Sequence, residues 1–220
     1  MSSILGCSLD DLDTPALVLD LTVLDRNLEK MASFFRGRAC QLRPHFKNHK
    51  CTRLARRQLD AGAAVGMTCA KLGEAEVLVD AGFDDILIAN LLVTSTKIAR
   101  ACAIAHRQRL TVTVESHDNV RRLSEAAARS GATLEVLVHL RTATDGIGCE
   151  PGSESTSLAN AIDSAEGLRF VGLFADACQR PAVGPTAGPT SLDGVLTTRQ
   201  DLESAGLPVE TVCVSGNDDL

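Results

Sequence analysis

Arg43-Pro-His-Phe-Lys-Asn-His-Lys50 gathers three cationic side chains and two histidines into one short stretch, with Lys47 at its centre. Like charges repel, so such a cluster costs free energy unless it has a use. Neighbouring cations disfavour a protonated ammonium and lower its pKa. A lysine that is neutral near pH 7 is a nucleophile and forms Schiff bases with carbonyl compounds. Lys47 is therefore the candidate nucleophile, and His45 and His49 are the candidates for a general base beside it. The competing reading is a solvated basic loop with two incidental histidines.

The elements around this cluster alternate strand and helix. Apolar runs such as Ile86-Leu-Ile-Ala89 and Leu134-Glu-Val-Leu-Val138 show little alternation, which marks strands covered on both faces. Strands are expected at 16–20, 40–47, 65–70, 85–90, 110–115, 134–140, 170–175 and 211–214. Helices are expected between them, the first capped by Thr22 and carrying Leu24, Leu28, Met31 and Phe35 on one face. In the first half strand starts recur roughly every 20 to 25 residues, one βα unit per repeat. The pattern predicts an α/β fold, a (β/α) TIM-like barrel with about seven barrel strands after the 16–20 strand. A doubly wound open sheet is second, and no Gly-x-Gly-x-x-Gly supports a dinucleotide fold. Pro181, Pro185 and Pro189 are expected to prevent a long helix after the 170–175 strand.

Composition removes several classes of function. A net charge of −6 and a pI near 5.4 argue against a nucleic-acid surface. No apolar run has the length of a membrane helix, and residues 1–11 do not form a signal peptide, so a cytoplasmic protein is expected. The 8 cysteines show neither zinc-knuckle nor CxxC spacing, and are expected as reduced thiols, with Cys69 and Cys213 in the core. The 220 residues suffice for one large domain with a core of its own.

In a (β/α) barrel, chemistry lies at the C-terminal ends of the strands. Those ends carry Lys47, Lys71, Asn90, Glu115, Ser116, His139, Arg141, Asp176, and Ser215 with Gly216. His139 interrupts an apolar strand and is expected as a hydrogen-bonded core histidine.

These residues also carry a resemblance. Asp13-Thr-Pro-Ala-Leu-Val-Leu-Asp20, the Arg43 to Lys50 stretch, Gly66-Met-Thr-Cys-Ala-Lys-Leu-Gly-Glu-Ala-Glu76 and Asp85-Ile-Leu-Ile-Ala-Asn90 occur in order, and resemble D-threonine aldolase and D-serine dehydratase-type proteins. The resemblance implies the alanine-racemase N-terminal barrel of the fold-type III pyridoxal-phosphate class. It implies Lys47 as Schiff-base lysine, and Asn90, Ser215 and Gly216 among the groups around the cofactor. It further implies a leading strand at 16–20 that belongs to a second domain, a homodimer, and lyase action on D-amino acids bearing a β-hydroxyl. The family's divalent metal is held by a C-terminal β-domain, which is absent from these 220 residues, and no metal ligands are assigned within them. Three stretches depart from the family pattern. Gly146 stands in place of an arginine, Ala175-Asp-Ala-Cys-Gln179 in place of a tyrosine-containing segment, and Ser215-Gly216-Asn-Asp-Asp219 in place of a glycine-rich phosphate loop. Residues 177–220 are thus a divergent C-terminal part of a single 1–220 barrel domain. A lyase is the first expectation; a pyridoxal-phosphate-binding protein without turnover and an inactive, truncated fragment are the alternatives.

Overall fold

The structure is a computed structural model that describes residues 6–142, 147–176 and 191–215. Six parallel strands form one curled sheet in chain order. They are β1 (Met67–Cys69), β2 (Asp85–Leu91), β3 (Arg109–Val114), β4 (Leu134–Leu140), β5 (Leu168–Asp176) and β6 (Thr211–Ser215). The helices are α1 (Leu21–Phe35), α2 (Thr52–Asp60), α3 (Leu72–Asp80), α4 (Ser95–Ala105), α5 (His117–Ser130), α6 (Ser153–Asp163) and α7 (Ser191–Ser204). The α/β barrel-type architecture expected from the sequence is the one observed.

Four local expectations are corrected. Residues 16–20 join no ladder, and Leu17 is fully exposed. Asp20, not Thr22, caps α1: its Oδ1 accepts the Val23 N–H at 2.9 Å, and a carboxylate at a helix start also favours the dipole. The strand expected at 40–47 is reduced to two parallel bridges, Leu42 to Ala64 and His45 to Thr68. The sheet therefore has six regular strands, and the bridged segment takes the seventh place. The proline-rich stretch lies mostly at 177–190, outside the described residues, and the 14-residue α7 begins beyond its last proline. A helix of ordinary length therefore does stand between β5 and β6.

The strands bury both faces, and the burial pattern separates them. Val136, Val138 and Leu140 of β4 join the larger apolar cluster with helix residues such as Leu78, Ile98, Leu123 and Leu158. Leu137 joins a smaller cluster with Leu87, Val171 and Phe174 on the concave face. On β5 this alternation is broken at Gly172 (φ 139°), where the register with β4 shifts between Val136 and Leu137. Phe170, Leu173 and Ala175 face the helices, while Val171 and Phe174 face inward. The bulge thus re-phases the end of β5 and turns Asp176 toward the same side as Phe174.

The N-terminal edge of the sheet carries an alternating belt of charge. Arg43 donates to Asp85 at 2.6 Å, Arg109 reaches Asp85 at 3.4 Å and Glu135 at 2.9 Å, and Arg169 reaches Glu135 at 2.6 Å and Glu210 at 2.7 Å. Thr111 Oγ1 adds a hydrogen bond to Glu135 at 3.1 Å. Asp85 and Glu135 are only 17% and 13% exposed, so each needs its partners to remain ionised. Burial pushes the Glu135 carboxyl up, but hydrogen bonds from Arg169 and Arg109 hold it below its usual range on balance. Arg43 must cross β1 to reach Asp85 on β2. It can do so because residue 66 is glycine: a Cβ there would lie 2.6 Å from the Asp85 carbonyl oxygen and closer still to Nη1 of Arg43.

Gly66→Ala is expected to lower stability by about 1–3 kcal/mol, because the added methyl overpacks a site whose neighbours are backbone and a committed guanidinium. A shift of the urea midpoint checks it, and an unchanged midpoint would show that Arg43 has another route. Since the folded pKa of Glu135 is depressed from 4.5, its contribution is present above pH 4.5 and is lost as pH falls through the folded value. Glu135→Gln should therefore flatten the acid limb of a stability-against-pH curve.

Candidate active site at the C-terminal ends of the strands

Lys47 lies in a single 3-10 turn, Phe46–Asn48, immediately after the bridge between His45 and Thr68. Two anchors hold that turn. Phe46 is 2% exposed and packs into the helix-side core, and the Lys50 N–H closes the turn on the Phe46 carbonyl at 2.9 Å. His45 caps the turn, its Nδ1 accepting the Lys47 N–H at 3.2 Å. The lysine side chain is thereby exposed on the C-terminal side of the sheet, and among the described residues its ammonium has no hydrogen-bond or ion-pair partner.

The dense cation cluster read from the sequence is dispersed by the fold. Arg43 is drawn to the opposite edge of the sheet by Asp85, and Lys50 pairs with Glu74 at 3.7 Å. Neither is left as an uncompensated charge beside Lys47, so the like-charge argument for an activated amine does not carry over to the structure. His49 also turns away. Its Nδ1 accepts the Cys51 N–H at 3.1 Å, its Nε2 meets Gln58 Oε1 at 3.0 Å, and its ring packs edge-on to Phe46. Both nitrogens of His49 are thus engaged in holding the start of α2.

His45 stays with Lys47. Burial lowers its pKa, the Lys47 charge lowers it further, and Glu74 and Asp176 oppose the shift. Because Nδ1 accepts a backbone N–H, the neutral ring carries its proton on Nε2. Four groups mark the mouth: Lys47 and His45 on the first segment, Glu74 on α3, and Asp176 at the end of β5. Glu74 is also tied to the end of β1, accepting the Ala70 N–H at 2.8 Å.

Asn90 is exposed within a register irregularity of β2, and its side-chain oxygen accepts the Leu91 N–H at 2.9 Å. Ser215 ends β6 and donates from Oγ to Asp176 Oδ1 at 2.7 Å. Gly216 and the Asp145-Gly146 departure lie outside the described residues. Glu115, beyond β3, accepts the Gly148 N–H at 2.8 Å, and Arg141 lies 3.2 Å from Glu150.

His139 differs from its expected role. It is 6% exposed and packs edge-on to Phe174 on the concave face, yet its Nδ1 has no hydrogen-bond partner among the described residues. Burial lowers its pKa, against the charges of Glu115 and Asp176. Burial pushes the Cys69 and Cys149 thiols up to about 12, so both stay protonated and unreactive. Among the described residues no three metal-ligating side chains converge. Glu74 is the member of the mouth that the sequence did not place among its strand-end candidates; Asp176 was named there without a role. Asp176 had a signal, since it lies in the segment that departs from a tyrosine-containing stretch of the pattern; Glu74 looked like an ordinary helix residue.

Comparison with known proteins agrees with this fold. D-threonine aldolase of an Arthrobacter species is 36% identical over 77% of this chain and 45% of its own length. D-threo-3-hydroxyaspartate dehydratase of Delftia sp. strain HT23 is 30% identical over 92% of this chain and 55% of its own. The crystal structure of D-threonine aldolase from Filomicrobium marinum superposes with a TM-score of 0.86 at 40% identity, covering 94% of this chain and 57% of that one. The chain thus spans about half the length of the relatives it matches. No helix among the described residues is long and apolar enough to cross a membrane. Residues 19–217 match the alanine racemase N-terminal domain, and the chain belongs to that family.

Proposed function

We propose that this chain is the lysine-bearing barrel of a pyridoxal-phosphate-dependent lyase acting on D-3-hydroxy amino acids, by aldol cleavage or by loss of water. The observation that carries the reading is the placement of Lys47. An amine with no ion-pair partner among the described residues is held by a buried anchor at the ligand-binding end of a parallel sheet. The similarity to D-threonine aldolase and D-threo-3-hydroxyaspartate dehydratase supports the substrate class.

The aldehyde end of the cofactor fits the residues present, since Lys47 is the amine it requires. Pyridoxal phosphate, when bound, supplies the electron sink that lets a bond to Cα or Cβ of an amino acid break. The chain's own groups position and protonate. His45 fixes the turn that presents Lys47 and offers a hydrogen on Nε2, which makes it a donor to an oxygen in the mouth and not a base. Glu74 holds the end of β1 and balances Lys50. His49 acts on α2 and has no direct part.

Incubation with pyridoxal phosphate followed by borohydride reduction should leave a stable adduct on the peptide containing Lys47, located by mass spectrometry. Lys47→Ala should abolish it, and an adduct spread over other lysines would remove the basis of the proposal. Release of aldehyde or of keto acid from D-threonine and D-3-hydroxyaspartate, with and without divalent metal, separates cleavage from dehydration.

The two histidines add a pH signature. Both have folded pKa values below 6.5, so the unfolded state binds protons first as pH falls. Their contribution to stability is present above pH 6.5 and is lost progressively below it, down to the folded pKa. Urea midpoints measured from about pH 8 to about pH 5.5 should fall in the wild type and fall less in His139→Leu. Equal slopes in the two proteins would show that His139 is not the group responsible.

A further inference from the structure

Lys50 stands where glycine is usual. The turn that presents Lys47 ends at His49, and Lys50 follows with φ 49°. Among the described residues it alone, apart from glycines, has a positive φ. Its N–H donates to the Phe46 carbonyl at 2.9 Å, the left-handed closure of a helical turn. Glycine commonly fills that position, because a Cβ disfavours the left-handed region. Every residue except proline offers the same N–H, so the closure does not explain a lysine. Stability does not explain it either. Nζ lies 3.7 Å from Glu74 Oε1, and the Lys50 side chain is 63% exposed, where water screens most of the attraction. An unfavourable backbone conformation kept beside a candidate site points to a use for the side chain.

Glu74 supplies that use. Its side chain is 13% exposed and its two oxygens are divided: Oε2 accepts the Ala70 N–H at 2.8 Å, and Oε1 faces Lys50. The other ionisable groups around it come from three elements. His45 and Lys47 lie on the first segment, and both Lys47 and Glu74 act on the His45 ring, with opposite signs. Cys69, on β1, feels Glu74 but stays protonated, and Lys71, which begins α3, is exposed. Asp176, at the end of β5, receives the Ser215 hydroxyl. Glu74 is thus a carboxylate on the element next to the Lys47 turn, and Lys50 occupies the oxygen that a second ammonium would use. A carboxylate beside an amine favours the protonated form, which cannot attack a carbonyl.

We propose that Lys50 acts as a decoy cation: by occupying Glu74 it leaves the Lys47 amine unpaired and able to react. Lys50 is a positioning residue in this scheme, acting through Glu74 and not on the substrate. The proposal rests on the Lys47 reading for what the amine does, but the availability of that amine can be measured without it.

The rate of the borohydride-trapped pyridoxal-phosphate adduct at Lys47, followed from about pH 6 to about pH 10, tests it. Lys50→Gly removes the cation and relieves the backbone. Its adduct should form about three- to tenfold more slowly near pH 7, with the midpoint of the rate profile moved to higher pH. Lys50→Arg should match the wild type. Lys50→Gly combined with Glu74→Gln should return to the wild-type profile, because the amide keeps an acceptor for the Ala70 N–H but carries no charge. The melting temperature of Lys50→Gly should not fall, since glycine suits the left-handed position. An unchanged profile in Lys50→Gly, or no return in the double variant, overturns the proposal. A lower melting temperature does so too, because the lysine would then be serving the fold. If the wild type forms no adduct at Lys47, the cofactor reading fails. Trace acetylation of Lys47 by acetic anhydride, read by mass spectrometry, then decides the role of Lys50: it should slow in Lys50→Gly and recover in the double variant.

Discussion

The ion-pair belt across the N-terminal edge of the sheet is the constraint on which the rest depends. Arg43, Asp85, Arg109, Glu135, Arg169 and Glu210 alternate in sign, and each lies on or next to a different strand. Neighbouring strands in a parallel sheet have no turn to set their register, since each is joined by a helical crossover. Apolar residues facing the helices set the inward and outward faces but are nearly indifferent to a slip of two residues. A buried carboxylate is not indifferent. Moving Asp85 or Glu135 by one pair would leave a poorly hydrated charge without its guanidinium, at a cost of several kcal/mol. The belt therefore specifies register where the hydrophobic pattern does not, and the strand ends above it are aligned as a consequence.

The same belt shapes the candidate site from the far end of the sheet. By drawing Arg43 away, it turns a crowded basic octapeptide into a single presented amine. Arg43 anchors the edge, His45 caps the turn, and the 3-10 turn that follows carries Lys47 to the mouth. The structure thus separates tasks along the segment. Cohesion sits at the N-terminal ends of the strands and candidate chemistry at the C-terminal ends, as in other parallel barrels. Gly66 belongs to the first task, since without it Arg43 could not cross β1.

Asp176 shows how a local irregularity reaches the site. Without the shift at Gly172, regular alternation from Val171 would turn Leu173 inward and leave Asp176 on the helix side. With it, Asp176 meets Ser215 and brings a carboxylate to the mouth. Family membership and the overall superposition are unaffected by that change, yet the electrostatics of the site are altered by it. A barrel can accept such a substitution because the strand ends contribute little to the packed core.

Much of the frame was legible from the chain alone. Uninterrupted apolar runs mark strands covered on both faces, and β2 and β4 follow such runs closely. Ser116 and Gly131 bound α5 as helix chemistry requires. The order of motifs from Asp13 to Asn90 pointed to the family and to Lys47. These features are local, set by periodicity, capping and composition, and so they can be read one window at a time. What tertiary structure alone decided concerns pairings across strands. The octapeptide looked like one electrostatic cluster, but its charges are partnered by Asp85 and Glu74, which lie far along the chain. His49 looked equivalent to His45 and is bound to α2 instead. The short bridged segment replaced a full strand, and the bulge in β5 reversed the side on which Asp176 falls. Charge interactions are long-ranged and strand parity is reset by a single extra residue, so neither can be deduced from neighbours in sequence. The sequence by itself determined that a lysine stands at the end of the first barrel segment; only the folded sheet determined which charges stand with it.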